Sequence, residues 1–275
     1  MNRSPQLGID LGGSKIEIIA LHGGRELLRH RIATPQGDYR ATVAAICNLI
    51  TQAEQQLGRR GSVGVGIPGS RSPDHGRIKN ANSVCLIGED LQSDLQEALQ
   101  RPVALANDAD CFSLSEATDG AGENAATVFG VILGTGVGGG IVVNGRLLQG
   151  PNAIAGEWGH NPMPWPRAAT GAAIDCYCGK QDCIETFLSG PGWAARSGLG
   201  ISAEQLAASV RQGNPQAIQA LERYCEDLAR GLAAVINLLD PHVIVLGGGL
   251  SNMPELYQRV PPLLLRHVFS DQLNT

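Results

Sequence analysis

The chain has 275 residues, 43% of them hydrophobic and only 4% aromatic, so it is long enough for one large or two medium domains with an aliphatic core. A net charge of -5 and a pI near 5.7 argue against a nucleic-acid or anionic-membrane surface. Seven cysteines, an odd number without regular spacing, argue against a secreted disulfide framework. No charged-then-apolar leader opens the sequence, and the longest apolar run, 128–143, is too short and too glycine-rich to span a bilayer as a helix, so a cytoplasmic location is expected. Glycine, at 36 residues, is nearly twice its usual share of about 7%, which fits tight turns and backbone drawn close to a ligand.

Residues 7–21 alternate apolar and polar on either side of Gly12-Gly13, which predicts two strands joined by a glycine turn. Amides bared by glycine, with Ser14 and Lys15, suit a phosphate, and Asp10 suits a magnesium ion or its water shell; a plain hairpin turn reads equally well. Residues 38–57 place Val43, Ile46, Leu49, Ile50, Ala53 and Leu57 on one helical face. A buried strand over 62–70 ends in Pro68-Gly69. The polar run Lys79-Asn80-Ala81-Asn82-Ser83 offers amides to sugar hydroxyls or to Asx turns. A short helix over 91–99 and a strand over 103–106 follow.

Asn107 and Asp108 then stand between that strand and a helical stretch. This puts Asp108 at the carboxyl end of a strand, where open α/β sheets bind ligands and a carboxylate can take a hydroxyl proton. An ordinary helix N-cap is the competing reading. The domain boundary is expected near 111–124, where 116–124 is loop-like. Residues 127–145 repeat the strand, glycine turn, strand form, with Gly134, Thr135, Gly136, Gly138 and Gly139 as a second phosphate clamp. Helices are predicted over 202–213, 216–239 and 254–268. An apolar strand, 242–246, runs into Gly247, Gly248 and Gly249, which leave room for a flat group such as adenosine.

The stretch 154–187 carries the most chemistry. His160, Cys176, Cys178 and Cys183 are one imidazole and three thiols, enough for a closed tetrahedral zinc site, and Glu157 and Glu185 flank them as candidates for holding a polyol. A reduced-thiol loop with two solvated acids is the bland alternative.

Asp10 to Lys15, Asn107-Asp108, Glu157 to His160 and Cys176 to Glu185 together resemble the ROK family of sugar kinases, repressors and uncharacterised reading frames, over nearly the whole chain. The wording of residues 79–83, 155–162 and 176–181 is most similar to bacterial fructokinases that also accept mannose. The resemblance implies an α/β, actin-like (ribonuclease H-like) two-domain ATPase fold, 1–115 and 116–275, with ATP and sugar in the interdomain cleft, and a homodimer. It implies Asp108 as the base toward the sugar 6-hydroxyl, with Gly69, Asn82, Asn107, Glu157, His160 and Glu185 lining the sugar. Asp10, Leu11, Gly12, Gly13, Ser14 and Lys15 with Gly134, Thr135, Gly136, Val137, Gly138 and Gly139 would hold ATP and Mg2+, and Gly247 to Gly249 the adenosine. Zn2+ would sit on His160, Cys176, Cys178 and Cys183.

The sequence departs from the pattern at four points. Ser14 stands for the usual Thr and keeps the hydroxyl. Asp182 stands for a Gly, a position where Asp tolerates positive φ better than most residues. Cys85 and Ile87 occupy places where the compared relatives have Trp and Asn. The family's last strand and return helix are not in the sequence, so apolar surface exposed on the first domain and a loosened hinge are expected. A repressor would carry a helix-turn-helix before the first turn, and only seven residues precede Gly8. A kinase for glucose or N-acetylglucosamine, and a zinc-containing sugar binder without catalysis, are the remaining alternatives.

Overall fold

The computed structural model describes residues 4–81, 83–165 and 173–275. The chain packs as two units, 1–111 with 149–154, and 112–148 with 155–275.

The first unit is built on a hairpin of β1 (Gln6–Leu11) and β2 (Lys15–His22), extended by β3 (Arg25–Ala33). Helix α1 (Tyr39–Leu57) leads to β4 (Ser62–Ile67), a small pair β5 (Ser70–Arg71) and β6 (Ile78–Lys79), helix α2 (Leu91–Leu99) and β7 (Val103–Asn107). The five-stranded sheet has the order β3-β2-β1-β4-β7, with β4 parallel to both β1 and β7. The period of two decides which side is core: Leu7, Ile9, Leu11, Ile16, Ile18, Ala20, Val63 and Val65 are buried against Ile46, Leu49 and Ile50 of α1 and Leu91 and Leu95 of α2. Each such Leu, Ile or Val side chain contributes about 1.5–3 kcal/mol through burial. Asp38 caps α1 by accepting from the Ala41 amide, and Gly58 closes it at φ 66.

Strand β3 is absent from the sequence reading. Its mostly exposed residues carry little apolar alternation, and it forms because an edge strand needs only one partner. Arg29 and Arg31 pair with Glu17 on β2, and such charges on an edge discourage pairing with other chains.

Glu54 and Arg101 form an ion pair at 2.6 Å with side chains only 14% and 12% exposed, and Glu54 also accepts from the Gly61 amide. Removing the cation alone leaves a largely buried carboxylate short of a partner. Arg101→Ala is therefore expected to lower stability by about 2–3 kcal/mol, and replacing both residues by Met to recover most of the loss. Urea unfolding of the single and double variants reads this directly.

Helix α3 (Asp108–Asp119) follows β7 without a break. The helix runs through 116–119, part of the stretch expected as loop, and the turn is confined to 121–124 after a bend at 120. The second unit has β8 (Thr127–Leu133), β9 (Val137–Val143), β10 (Arg146–Leu147), α4 (Ile184–Leu188), α5 (Gly190–Ser197), α6 (Ala203–Arg211), α7 (Pro215–Leu239) and β11 (Val243–Gly247). The order β10-β9-β8-β11 includes one parallel pair, β8 with β11. Phe129, Val131 and Leu133 pack against Leu188, Trp193, Leu221, Leu228 and Leu232 in the larger core. Helix α7 starts where Asn214 accepts from the Gln216 and Ala217 amides, with Pro215 in the first turn, where its missing N–H is not needed.

The expected helix over 254–268 is two pieces, α8 (Pro254–Arg259) and α9 (Pro261–Leu264). Pro261 and Pro262 lack the donors a continuous helix requires, and the ring clashes with the preceding turn. Among the described residues no helix is long and apolar enough to cross a membrane.

Candidate functional site

In the first unit, β1, β4 and β7 run parallel, so their carboxyl ends share one edge of the sheet. The register sets Asp10 beside Gly66 and Ile67 beside Asn107. That edge therefore collects the first glycine turn, Pro68-Gly69 and Asn107-Asp108, three segments far apart in sequence.

The turn is tight: the Gly12 amide donates to the Lys15 carbonyl at 2.9 Å, and the Thr34 hydroxyl donates to the Gly12 carbonyl at 2.7 Å. Thr34 is a support the sequence did not point to. Asp10, next to last in β1, has its carboxyl pKa raised, first by loss of solvation and then by Glu17, against the opposing pull of Arg31. A cation placed there would reverse that shift.

Gly69 has φ 79, and a Cβ on it would fall 2.5 Å from the Lys79 carbonyl oxygen, so only glycine fits. Its carbonyl accepts from the Asn107 amide nitrogen at 2.8 Å. The Asn107 side-chain oxygen accepts from the Ala109 and Asp110 amides, so Asn107 does the helix capping that the sequence left open for Asp108. Asp108 is the first residue of α3, its side chain is exposed, and its carboxylate accepts from the Ala109 amide at 2.8 Å. The start of a helix favours the ionised carboxylate a base needs. Asn82, the other amide expected near a sugar, lies outside the described residues.

In the second unit, the turn between β8 and β9 is closed by the Gly134 amide on the Gly136 carbonyl, and the Gly190 amide donates to the Gly134 carbonyl at 2.8 Å. A cavity of about 660 Å³ opens beside it, lined by Gly134, Thr135, Gly190, Ala203, Gly249 and Met253 among others. Of the three late glycines, Gly249 lines this cavity. Gly247 lies against the Phe112 ring, 2.6 Å from where its Cβ would be, which is a packing demand.

Val137, Gly138 and Gly139 are already strand residues, paired with Leu133, Ile132 and Val131. Their small size serves the segment 155–160. Trp158 donates from Nε1 to the Gly138 carbonyl at 3.0 Å, and Gly156, at φ 88, comes so close to Gly139 that a Cβ would sit 2.3 Å from its carbonyl oxygen. This contact fixes Glu157 and the short 3-10 turn Trp158–His160 beside β9.

His160, Cys176, Cys178 and Cys183 bring one imidazole nitrogen and three sulfurs within 4.8 Å of one another. Cys176 Sγ lies 3.6 Å from His160 Nδ1, and Cys178 Sγ lies 3.6 Å from Cys183 Sγ. Bonds of about 2.3 Å at tetrahedral angles put sulfurs roughly 3.8 Å apart, so the set fits zinc. Burial pushes the Cys183 thiol up to about 12 and raises Cys176 as well, so a cation is what would keep them thiolates. His160 turns Nε2 away from the sulfurs to the Tyr177 hydroxyl at 3.0 Å. Tyr177, between two of the cysteines, is a partner the sequence reading passed over. Asp182 has φ 54, the left-handed backbone that its place in the motif suggested, and its carboxylate accepts from the Ile174 amide at 2.9 Å.

One carboxylate ties this knuckle to the glycine turn. Glu185, two residues after Cys183, accepts from the Val137 amide at 2.9 Å.

The ROK family profile matches residues 6–275. The chain belongs to the ROK family. It is 38% identical over 270 residues to an N-acetyl-D-glucosamine kinase of Yersinia enterocolitica, spanning 95% of this chain and 89% of that protein. The structure is similar to a ROK hexokinase from Thermus thermophilus (TM-score 0.82, 29% identity, 96% of this chain and 88% of that one). It is also similar to a ROK glucokinase from Streptomyces griseus in complex with glucose and AMPPNP (TM-score 0.79, 26% identity, 97% and 90%). The mixed α/β architecture of this ROK chain is the actin-like ATPase fold. The family is the one its motifs resemble; the relative named here carries N-acetylglucosamine in its name, where the motif wording pointed to fructose and mannose.

Proposed function

We propose that this ROK chain is an ATP-dependent hexose kinase acting on the 6-hydroxyl, with N-acetylglucosamine as its first-choice sugar. The observation that supports the reaction is the shared strand edge, which carries an exposed carboxylate at a helix start and, two strands away, the glycine turn after β1. The observation that carries the sugar is the 38% identity to an N-acetylglucosamine kinase over 95% of the chain. Phosphoryl transfer asks the protein for alignment and neutralisation of charge more than for covalent help. Asp108 orients the hydroxyl and takes its proton. Asn107 and Gly69 set the floor on which the sugar rests, and Glu157, Glu185 and the Nε2 side of His160 are the candidates for its other hydroxyls. The turns at Gly12 and Gly134 hold phosphates, and the cavity at Gly249 takes the adenosine. Magnesium, bound near Asp10, would neutralise phosphate charge, and zinc on the His160 and cysteine set would fix the shape of the loop.

Fructose with mannose is the second reading, favoured by the wording of residues 79–83 and 155–162, which resembles fructokinases. ATP-dependent phosphorylation of N-acetylglucosamine, glucose, fructose and mannose decides between them. Highest kcat/KM on N-acetylglucosamine is the expected result. Highest kcat/KM on fructose or mannose reverses the order, and no turnover on any sugar by folded, zinc-loaded protein favours a sugar binder without catalysis.

A further inference from the structure

The geometry points to a second role for Glu185: we propose that it is a positioning residue for the nucleotide, holding the second phosphate turn in shape from the cysteine knuckle. The inference rests on the kinase reading, and on that turn binding phosphate. Four observations within the second unit carry it. Glu185 Oε2 accepts from the Val137 amide, the first residue after the turn. Gly136 leaves the space this needs, because a Cβ there would meet the same oxygen at 2.7 Å. The helix that carries Glu185 begins at Ile184, directly after the buried Cys183, so the knuckle sets where the carboxylate stands. A second fastening, the Gly190 amide on the Gly134 carbonyl, holds the other end of the turn from the next helix.

A turn that cradles phosphate works through amides whose directions are fixed in advance. With Val137 held at its exit and Gly134 at its entrance, residues 134–137 have both ends tied to elements that the knuckle positions. A carboxylate so near a phosphate site is electrostatically unfavourable for an anion. Its presence there is accounted for by what it does to the backbone. The group proposed to touch the sugar is thus also the group that shapes the nucleotide turn.

The test is nucleotide affinity measured without sugar, by calorimetry with MgADP, on zinc-loaded wild type, Glu185→Gln and Glu185→Asp. Gln keeps the reach and an oxygen acceptor but loses the charge. Asp keeps the charge but is one methylene too short to reach Val137. If Glu185 positions the turn, Asp weakens MgADP binding by about tenfold, the low end for losing a hydrogen bond to a charged group, and Gln stays within about twofold of wild type. Equal affinity in all three proteins means Glu185 serves the sugar alone and overturns the inference. Tighter binding in Gln than in wild type means its charge matters more than its hydrogen bond, and overturns it too. A wild-type chain that does not bind MgADP overturns the kinase reading itself, and the inference with it. Zinc content and circular dichroism of each variant establish that the knuckle is intact.

Discussion

Asp108→Asn is expected to keep sugar binding and to lower kcat by about a hundredfold to ten-thousandfold, the range for removing a general base. The amide is nearly the same size and can still accept from the Ala109 amide, as the carboxylate does at 2.8 Å, so the start of α3 is preserved. Asn107 carries the cap through Ala109 and Asp110 and pins the Gly69 carbonyl, so neither the helix start nor the Gly69 turn depends on residue 108. What is lost is the capacity to take a proton. The expected pattern is an unchanged sugar Kd by calorimetry with kcat collapsed. A variant that turns over at the wild-type rate removes Asp108 from the mechanism. Asn107→Ala gives the contrasting case: the Gly69 carbonyl and the helix cap are both released, so sugar binding and stability should fall together.

The second large effect is at the cysteine knuckle. Zinc removal, or Cys183→Ser, should abolish binding of one metal ion per chain and destabilise the protein by more than about 4 kcal/mol, the class of loss seen when a structural metal goes. At about 2–4 °C per kcal/mol this is a fall in the midpoint of thermal unfolding on the order of 10 °C. Cys183 is fully buried and directly precedes α4, the Met163 amide donates to the Asp182 carbonyl and the Ile184 amide to that of Asn161, so a metal on Cys183 would fasten the base of the whole loop. His160 and Glu185 move when it opens, and the sugar KM should rise by more than about tenfold. Because thiols must lose protons to bind metal, and burial holds Cys176 and Cys183 in the protonated form when no cation is present, zinc should leave as pH is lowered. Metal analysis and thermal unfolding on the same sample check this. A chelated protein that melts at the same temperature and retains its sugar KM removes zinc from the structural account.

Much of this was legible before any coordinates. Alternation over 7–21 gives β1, the turn and β2, because strands buried on one face must alternate and glycine marks where the chain reverses. The knuckle was legible because thiols and imidazole cluster closely only for a reason. Other features stayed hidden for physical reasons. Strand β3 has no buried face to impose an apolar alternation, and its arginines read as solvent-facing because Glu17 arrives from another strand. Whether Asp108 caps the helix or is free for other work could not be read from the sequence, since a carboxylate does both; the hydrogen bonds give the cap to Asn107. Glycines look alike in a sequence: Gly12 makes a turn, Gly69 a left-handed residue, Gly139 a berth for Trp158 and Gly247 a face for Phe112. Sugar choice was not legible for a related reason, as the recognisable motifs are those proposed to hold phosphate, metal and the hydroxyls that hexoses share.

The first unit separates what must stay from what can change. Gly12, Gly69 and Asn107 hang from the ends of three parallel strands, whereas Leu7, Ile9, Val63 and Val65 lie deep in the same strands and touch only core. The described residues between β6 and α2, 80–81 and 83–90, take no part in the five-stranded sheet. If the proposed sugar site draws on this connection, a lineage built this way can trade one hexose for another by rewriting connecting residues, with no repacking of the interior and little loss of stability along the way. Selection on diet and selection on foldedness then act on different parts of the chain, and a new substrate can be acquired without first passing through an unstable protein.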